Sequence, residues 1–299
     1  MYFGADYYPE HWTKERWAVD AKLMKEAGLN VVRLAEFAWS KIETVEGIYD
    51  FVWLDEATEI FSELGIKIVL GTPTAAPPYW LMDKYPDIYQ TDRYGIVKKF
   101  GSRRHYCANN MHFHEYSQKI AEEMAKHYQG NDNIVAWQID NEFGCHGHIC
   151  YCENCKQSFQ QWLSIKYEDI EALNKEWGTI FWSQTYNSFK EVIVPAYTQC
   201  DGDSEMSGKA THNPGLLLDY MRFQSDAIIK YQKLQIDIIR QYSDQPITHN
   251  LMGHFSELDY YGLGRDLDFI SWDNYITFQW GTATYEKTSM AHDMWRRWC

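Results

Sequence analysis

Short apolar runs of strand length alternate along this chain with longer amphipathic runs of helical length. Six strands are predicted, at residues 2–8, 30–34, 67–70, 134–139, 246–250 and 267–272. Four helices are predicted between them, at residues 14–27, 54–64, 111–128 and 216–242. In most of these helices apolar residues recur at i, i+3 and i+4, which places them on one face. Because this alternation is typical of parallel strands connected by outer helices, the sequence predicts an α/β protein of the (β/α)8 TIM barrel type.

The number of predicted strands falls short of a closed barrel. Such a barrel has eight strands in roughly 250 residues, whereas the sixth predicted strand ends at residue 272 of 299. A helical pattern over residues 289–297 favours a truncated barrel over an open sheet. We therefore expect residues 1–299 to form one catalytic barrel domain, truncated, with no second domain. The long connection 144–213, after strand four, is expected to be an insertion on that barrel.

The composition limits the classes of partner. The formal net charge is −14 and the pI is about 5.2. This acidity argues against a nucleic-acid surface or an anionic membrane, because both attract clusters of Lys and Arg. With 13 Trp and 22 Tyr, the chain is rich in rings that stack on the faces of a neutral sugar.

The sequence carries no signal that directs it out of the cytoplasm. Its first residues lack the basic region and apolar stretch of a secretory signal, and no apolar run approaches the roughly 20 residues that cross a bilayer. Its seven Cys are an odd number in a large chain. We therefore expect a reduced, cytoplasmic setting.

One predicted strand ends in a group suited to catalysis. The buried run 134–139 is followed directly by Asp140, Asn141 and Glu142. A carboxylate at the carboxyl end of a barrel strand sits at the mouth of the core, where desolvation raises its pKa and suits it to donate a proton near neutral pH. The alternative is a polar turn without a chemical role. Polar or aromatic residues also follow the other strands, and their convergence on one face favours a catalytic site.

Four cysteines have the arrangement of a metal site. Cys150, Cys152 and Cys155 lie within six residues, and Cys107 follows strand three, which a barrel places nearby. Four thiolates can close a tetrahedral zinc site of the structural kind. Unbonded core cysteines are the alternative. The competing ligands, which leave the composition of the site open, are Cys145, His146 and His148.

Several longer motifs match a known family. They are Tyr-Tyr-Pro-Glu-His-Trp (7–12), Arg-Leu-Ala-Glu-Phe-Ala-Trp (33–39), Gly-Thr-Pro-Thr-Ala-Ala-Pro-Pro-Tyr-Trp-Leu (71–81), Arg-Arg-His-Tyr-Cys (103–107), Asp-Asn-Glu-Phe-Gly-Cys-His (140–146) and Trp-Gly-Thr-Ile-Phe-Trp-Ser-Gln (177–184). With these motifs the chain resembles the glycoside hydrolase family 42 β-galactosidases over essentially its whole length. The resemblance implies a (β/α) barrel, two glutamates for a retaining double displacement, and smaller following domains that complete a homotrimer. The implied substrate is a β-galactoside or galacto-oligosaccharide.

The resemblance also implies roles for single residues. By motif position Glu142 is the general acid/base, and Asn141 binds the sugar 2-hydroxyl. The other implied sugar-site residues are Arg33, Arg103, Trp182 and Tyr275. The two arginines would hold the nucleophilic carboxylate and the sugar, the tryptophan would line the sugar site, and the tyrosine would approach the nucleophile. The implied ligands of a structural zinc ion are Cys107, Cys150, Cys152 and Cys155.

The chain departs from the family at the second carboxylate. The family nucleophile is a Glu after strand seven, which lies beyond residue 299, and retention needs two carboxylates about 5–5.5 Å apart. Asp273 is not assigned that role, because the family places its nucleophile one strand later. This chain alone is therefore expected to have low or no activity. The alternatives are another retaining barrel β-glycosidase, such as a β-glucosidase or β-mannanase, and a non-catalytic sugar-binding barrel.

Overall fold

A computed structural model describes residues 1–147, 149–198, 212–253, 255–275 and 284–296. The strands in these ranges are β1 (Gly4–Asp6), β2 (Val31–Leu34), β3 (Glu43–Val45), β4 (Ile48–Tyr49), β5 (Lys67–Gly71), β6 (Ile134–Gln138), β7 (Ile247–Thr248), β8 (Asn250–Met252) and β9 (Ser271–Asp273). The helices are α1 (Lys14–Glu26), α2 (Trp39–Ile42), α3 (Val52–Glu63), α4 (Tyr79–Lys84), α5 (Met111–His127), α6 (Glu153–Lys166), α7 (Ile170–Trp177), α8 (Pro214–Ile239), α9 (Tyr260–Gly264) and α10 (Thr284–Arg296).

The main sheet is parallel and follows the order of the chain. Its strand order is β1-β2-β5-β6-β7, and every neighbouring pair in it is parallel. A second parallel pair, β8 and β9, continues the same order. This arrangement confirms the predicted α/β class, and it brings the carboxyl ends of successive strands to the same edge.

The four long predicted helices are found within three residues of their predicted bounds, as α1, α3, α5 and α8. Two of these helices begin after an asparagine whose side chain caps the first turn. Asn110 caps α5 by accepting a hydrogen bond from the backbone N–H of Phe113, and Asn213 caps α8 directly before Pro214. The small antiparallel hairpin of β3 and β4 was not predicted.

The fifth and sixth strands differ from the prediction. The run 246–250 is split at His249 into β7 and β8, and the sixth strand begins at Ser271 instead of Leu267. Asp268 explains the late start. Its backbone N–H donates to the carbonyl of Ile247, while its carboxylate accepts from the N–H of Ile247 at 2.6 Å. The Asp268 carboxylate thus takes the place of a backbone carbonyl as the hydrogen-bond acceptor for the N–H of Ile247.

The connection after β6 forms a second apolar cluster. Its helical part is two helices, α6 and α7, because Asp169 caps the start of α7 by accepting from the backbone N–H of Ala172. Buried apolar side chains of both helices pack on α8. These are Phe159, Leu163, Leu173 and Trp177, and the α8 side chains in the same cluster are Leu216, Tyr220 and Phe223. Among the described residues, no helix has both the length and the apolar character needed to span a membrane.

Candidate active site

The turn that follows β6 places Glu142. Asp140 and Glu142 have φ of 49° and 44°, a left-handed backbone that side chains rarely adopt without support. Hydrogen bonds to His249, which lies between β7 and β8, and to Asn250, the first residue of β8, support this backbone. Asn250 accepts a hydrogen bond from the backbone N–H of Glu142, and His249 accepts one from the N–H of Phe143, both at 3.0 Å. Burial lowers the pKa of His249 to about 3, so its imidazole is neutral and able to accept.

Contacts of the Asp140 side chain hold the same turn in place. Its carboxylate is fully buried and pairs with Arg104 at 2.9 Å, and the side chain of Arg104 is 5% exposed. The hydroxyls of Thr74 and Tyr106 donate to the same carboxylate at 2.6 and 3.1 Å. The sequence prediction did not assign Asp140 a role, although its position directly after a buried strand was a signal. A buried ion pair whose carboxylate accepts further hydrogen bonds fixes the geometry of the turn.

Glu142 lies at the rim of this turn and is 8% exposed. Its Oε2 accepts hydrogen bonds from Arg103 Nη2 at 2.8 Å and from Asn141 Nδ2 at 3.2 Å. Burial raises its pKa, but the hydrogen bond from Asp273 and the charge of Arg103 outweigh burial, so the pKa of Glu142 is lowered. Burial is the largest single influence on this pKa, and the opposing contacts exceed it only in sum. A raised pKa of Glu142 in a complete barrel, where an anionic nucleophile lies nearby, stays a prediction.

Asp273, the last residue of β9, carries the opposite shift. Burial, and then its hydrogen bond and charge repulsion with Glu142, raise the pKa of Asp273 to about 7. Two carboxyl groups in contact cannot both ionise without penalty. As the pH falls below 7 the pair therefore takes up one proton, with Asp273 as the protonated member and Glu142 as the anion.

A second polar cluster lies at the ends of β1 and β2. Arg33 contacts Asp6 at 2.9 Å and Glu36 at 3.1 Å. Glu36 is 1% exposed and also accepts from Tyr8 and from Gln138 Nε2, the latter at 3.0 Å. The sequence analysis missed Glu36 and Gln138 as members of the site. Gln138 also donates to the carbonyl of Asp140, which joins this cluster to the turn that carries Glu142.

The other two predicted sugar-site residues are exposed. Trp182 is 69% exposed, has a φ of 54° and stacks on Phe181 with ring centroids 4.6 Å apart. No hydrogen bond or ion pair between Trp182 and Glu142 is found within the described ranges. Tyr275 is 76% exposed, and its pKa is raised by burial first and then by the charges of Asp273 and Glu142. The structure therefore brings Arg103, Asn141 and Glu142 into contact.

The four predicted cysteines lie together. The Sγ atoms of Cys107, Cys150, Cys152 and Cys155 are all within 4.8 Å of one another. Cys107 Sγ is 3.4 Å from Cys155 Sγ and 3.6 Å from Cys152 Sγ. Four thiolates about 2.3 Å from a tetrahedral zinc ion would be about 3.8 Å apart, so the cluster fits such an ion.

Two of the residues that competed with these cysteines as zinc ligands lie outside the cluster. Cys145 and His146 are not members of the cluster that the structure describes, and His146 Nε2 instead lies 3.5 Å from Arg103 Nη2. His148, the third, lies outside the described residues. A centre closed by four protein ligands has no open position for a substrate.

Comparisons with known proteins give a consistent result. The sequence model of glycoside hydrolase family 42, described as β-galactosidase, matches residues 6–299. A β-galactosidase of Thermus thermophilus is 47% identical over 274 residues, which are 91% of this chain and 41% of that protein. One of Halorubrum lacusprofundi is 44% identical over 279 residues, 93% of this chain and 38% of its own length. The chain thus spans about two fifths of the curated relatives that it matches.

Solved structures agree with the sequence relatives. A β-galactosidase from the psychrophilic Marinomonas ef1 aligns with a TM-score of 0.91 at 39% identity, over 99% of this chain and 46% of that one. A β-galactosidase from Bacillus circulans sp. alkalophilus aligns with a TM-score of 0.90 at 36% identity, over 100% of this chain and 43% of that one.

Proposed function

The chain belongs to glycoside hydrolase family 42, and from that premise we propose that it is the catalytic barrel of a retaining β-galactosidase with Glu142 as general acid/base. The observation that carries the proposal is the position of Glu142 at the end of β6. There its carboxylate contacts one cation, Arg103, and one amide, Asn141, at the rim of a buried turn. Such a group can give a proton to a leaving oxygen and later take one from water.

The second carboxylate of the reaction is proposed to lie in a part of the protein that this chain does not span. Asp273 is a poor nucleophile for the purpose because it is hydrogen-bonded directly to Glu142. Carboxyl groups in contact leave no room for the anomeric carbon, which needs a gap of about 5–5.5 Å between them. A Glu after strand seven of a complete eight-stranded barrel fits better, since relatives extend well beyond the matched length.

The two chemical steps then follow from the residues. Glu142 donates a proton to the glycosidic oxygen while the second carboxylate attacks C1, which breaks the bond and forms a glycosyl-enzyme. Glu142 next accepts a proton from a water that attacks C1, and galactose leaves with its β configuration retained. Before the first step Glu142 must be protonated, and a nearby anionic nucleophile favours this because it raises the pKa of Glu142.

The remaining assignments are proposals of the same kind. Arg33 and Arg103 hold the sugar and the nucleophile, Asn141 contacts the sugar 2-hydroxyl, Trp182 lines the sugar site and Tyr275 approaches the nucleophile. Two of these proposals have local support, because Arg103 and Asn141 already contact Glu142. Residues 1–299 would form one barrel domain of a protein that assembles as a homotrimer.

We further propose a structural zinc ion on Cys107, Cys150, Cys152 and Cys155. It would fix the chain after Gly144 to the segment after β5, and it would take no part in the chemistry. Five described cysteines are free thiols, which favours a reducing, cytoplasmic setting.

A panel of nitrophenyl glycosides tests the function. The full-length protein should hydrolyse the β-galactoside far faster than the β-glucoside or β-mannoside. A preference for one of the others would support a different retaining β-glycosidase. Tight galactose binding by calorimetry without turnover would support a sugar-binding barrel.

A further inference from the structure

The side chain of Asn250 joins three strand ends at the site. Asn250 begins β8 and is 4% exposed. We propose, on the basis of the proposed function, that Asn250 is a positioning residue that fixes the orientation of the Asn141 amide toward the sugar.

One backbone group decides the orientation of Asn250. Its Oδ1 accepts from the backbone N–H of Glu142 at 3.0 Å. A backbone N–H can only donate, so the oxygen of the Asn250 amide must face it, although the two ends of a side-chain amide are otherwise hard to distinguish. The Nδ2 of Asn250 must then face the other way, where it donates to Asn141 Oδ1 and to Asp273 Oδ2, both at 3.0 Å.

Asn250 in turn decides the orientation of Asn141. Because the Oδ1 of Asn141 accepts from Asn250, its Nδ2 must point to Glu142 Oε2, 3.2 Å away. A reversed Asn141 amide would set its oxygen against the Glu142 carboxylate and its nitrogen against the nitrogen of Asn250. Both contacts would be repulsive, so the reversed amide is disfavoured twice.

The orientation matters for the sugar. In the proposed function Asn141 meets the 2-hydroxyl, and hydrogen bonds to that hydroxyl strengthen in the transition state of this reaction class. Asn141 offers its N–H on the side of Glu142 only while Asn250 holds it there. Asn250 would therefore act on the reaction through another residue, without touching the substrate.

The test is a comparison of two substrates in the full-length protein. 4-Nitrophenyl β-galactoside and its 2-deoxy analogue differ only in the hydroxyl that Asn141 would contact. The variants are Asn250→Asp, which can still accept from the N–H of Glu142 but cannot donate, Asn250→Ala, and Asn141→Ala for reference. The matched control is Gln232→Met, which removes a buried amide of α8 that donates to the carbonyl of Leu263.

The expected result is a change in the preference for the 2-hydroxyl, measured as the ratio of kcat/KM for the two substrates. Wild type and Gln232→Met should prefer the hydroxylated substrate strongly. Both Asn250 variants, like Asn141→Ala, should lose at least about tenfold of that preference, because the donor is lost or turned away.

Two outcomes would overturn the inference while leaving the proposed function intact. One is a folded Asn250→Asp protein, checked by circular dichroism, that keeps the wild-type preference. The other is an equal slowing of both substrates, which would mean that Asn250 only supports the turn.

A wild type that hydrolyses no glycoside would refute the proposed function separately. The same ratio would then be measured as binding of galactose and 2-deoxygalactose by calorimetry. A preference kept in Asn250→Asp, or absent from wild type, would overturn the inference in that case too.

Discussion

Arg103 Nη2 donates a hydrogen bond to Glu142 Oε2 across 2.8 Å. This contact joins the segment after β5 to the end of β6, and it favours the ionised form of Glu142. The side chain of Arg103 is 29% exposed and that of Glu142 is 11% exposed, so solvent screens the pair only in part.

Replacement of Arg103 should raise the pKa of Glu142. In Arg103→Gln the nearby positive charge is lost, while burial, which disfavours the anion, remains. Titration of the Glu142 carboxyl carbon by NMR measures the change. Arg16→Gln, which removes a surface arginine paired with Asp20 on α1, is the control and should match wild type. An unchanged Glu142 titration in Arg103→Gln would contradict the assignment of the contact.

Asp273 should make the protein less stable as the pH rises from about 4 to about 7. Its pKa is about 7 in the folded chain and about 3.9 in an unfolded one. Over that interval the unfolded state releases the proton while the folded state keeps it, so the free energy of unfolding falls with pH. Below pH 4 and above pH 7 this group should contribute no slope.

Asp273→Asn should remove that slope, since an amide does not titrate. Urea unfolding of wild type and variant at several pH values isolates the contribution of Asp273. Asp237→Asn, at an exposed position on α8, should follow wild type. Parallel pH profiles for Asp273→Asn and wild type would refute the proposed proton on Asp273.

The Arg104–Asp140 pair predicts a large loss of stability on removal of one charge. Asp140→Asn leaves the Arg104 guanidinium buried without its counter-charge, and breaking such a pair costs about 3–5 kcal/mol. Glu115→Gln breaks an exposed pair with Lys119 and should change the free energy of unfolding by less than about 1 kcal/mol. Denaturant unfolding of both variants provides the comparison. Equal small effects would mean that the turn after β6 does not depend on this pair.

The cysteine cluster predicts one zinc ion per chain. Elemental analysis should find it in protein purified without chelator, and Cys152→Ser should lower both the zinc content and the melting temperature. Cys145→Ser is the matched control, because Cys145 lies outside the cluster, and it should keep its zinc. Metal-free wild-type protein that melts at the same temperature with and without added zinc would refute the site.

The elements found from sequence are those with local signals. The apolar periodicity of α1, α3, α5 and α8 lies within each segment, and so does the buried run that ends at Glu142. The late start of β9 depends on Asp268, whose side chain replaces a backbone partner on Ile247. That contact joins residues that are distant in the chain, so no local sequence pattern predicts it.

The same limit applies to the candidate site. Glu142, Asn141 and the cysteines follow from strand ends and spacing, but Asn250 and Glu36 matter only through hydrogen bonds to distant segments. The direction of the pKa shift of Glu142 in this chain cannot be predicted from the sequence for a related reason. Burial alone is visible in a sequence, whereas the opposing contacts from Asp273 and Arg103 come from other strands.

The last prediction concerns activity. The 299-residue chain should hydrolyse β-galactosides far more slowly than a protein that continues through strand eight, because the nucleophilic carboxylate is proposed to lie in a part of the protein that this chain does not span. If covalent catalysis and the missing wall of the sugar site supply about 5 kcal/mol of barrier reduction, the rate falls by about four orders of magnitude. Initial rates with 4-nitrophenyl β-galactoside at equal concentrations of the two proteins measure the difference.

Glu142→Ala in the longer protein separates the two catalytic carboxylates. It should slow substrates with poor leaving groups most, because they depend on protonation. Azide should partly rescue this variant and give a β-galactosyl azide, since a small anion can attack the glycosyl-enzyme without a general base. If the 299 residues prove as active as the longer protein, the nucleophile lies within them. Asp273, which already contacts Glu142, would then be the first residue to replace, and its loss should abolish turnover.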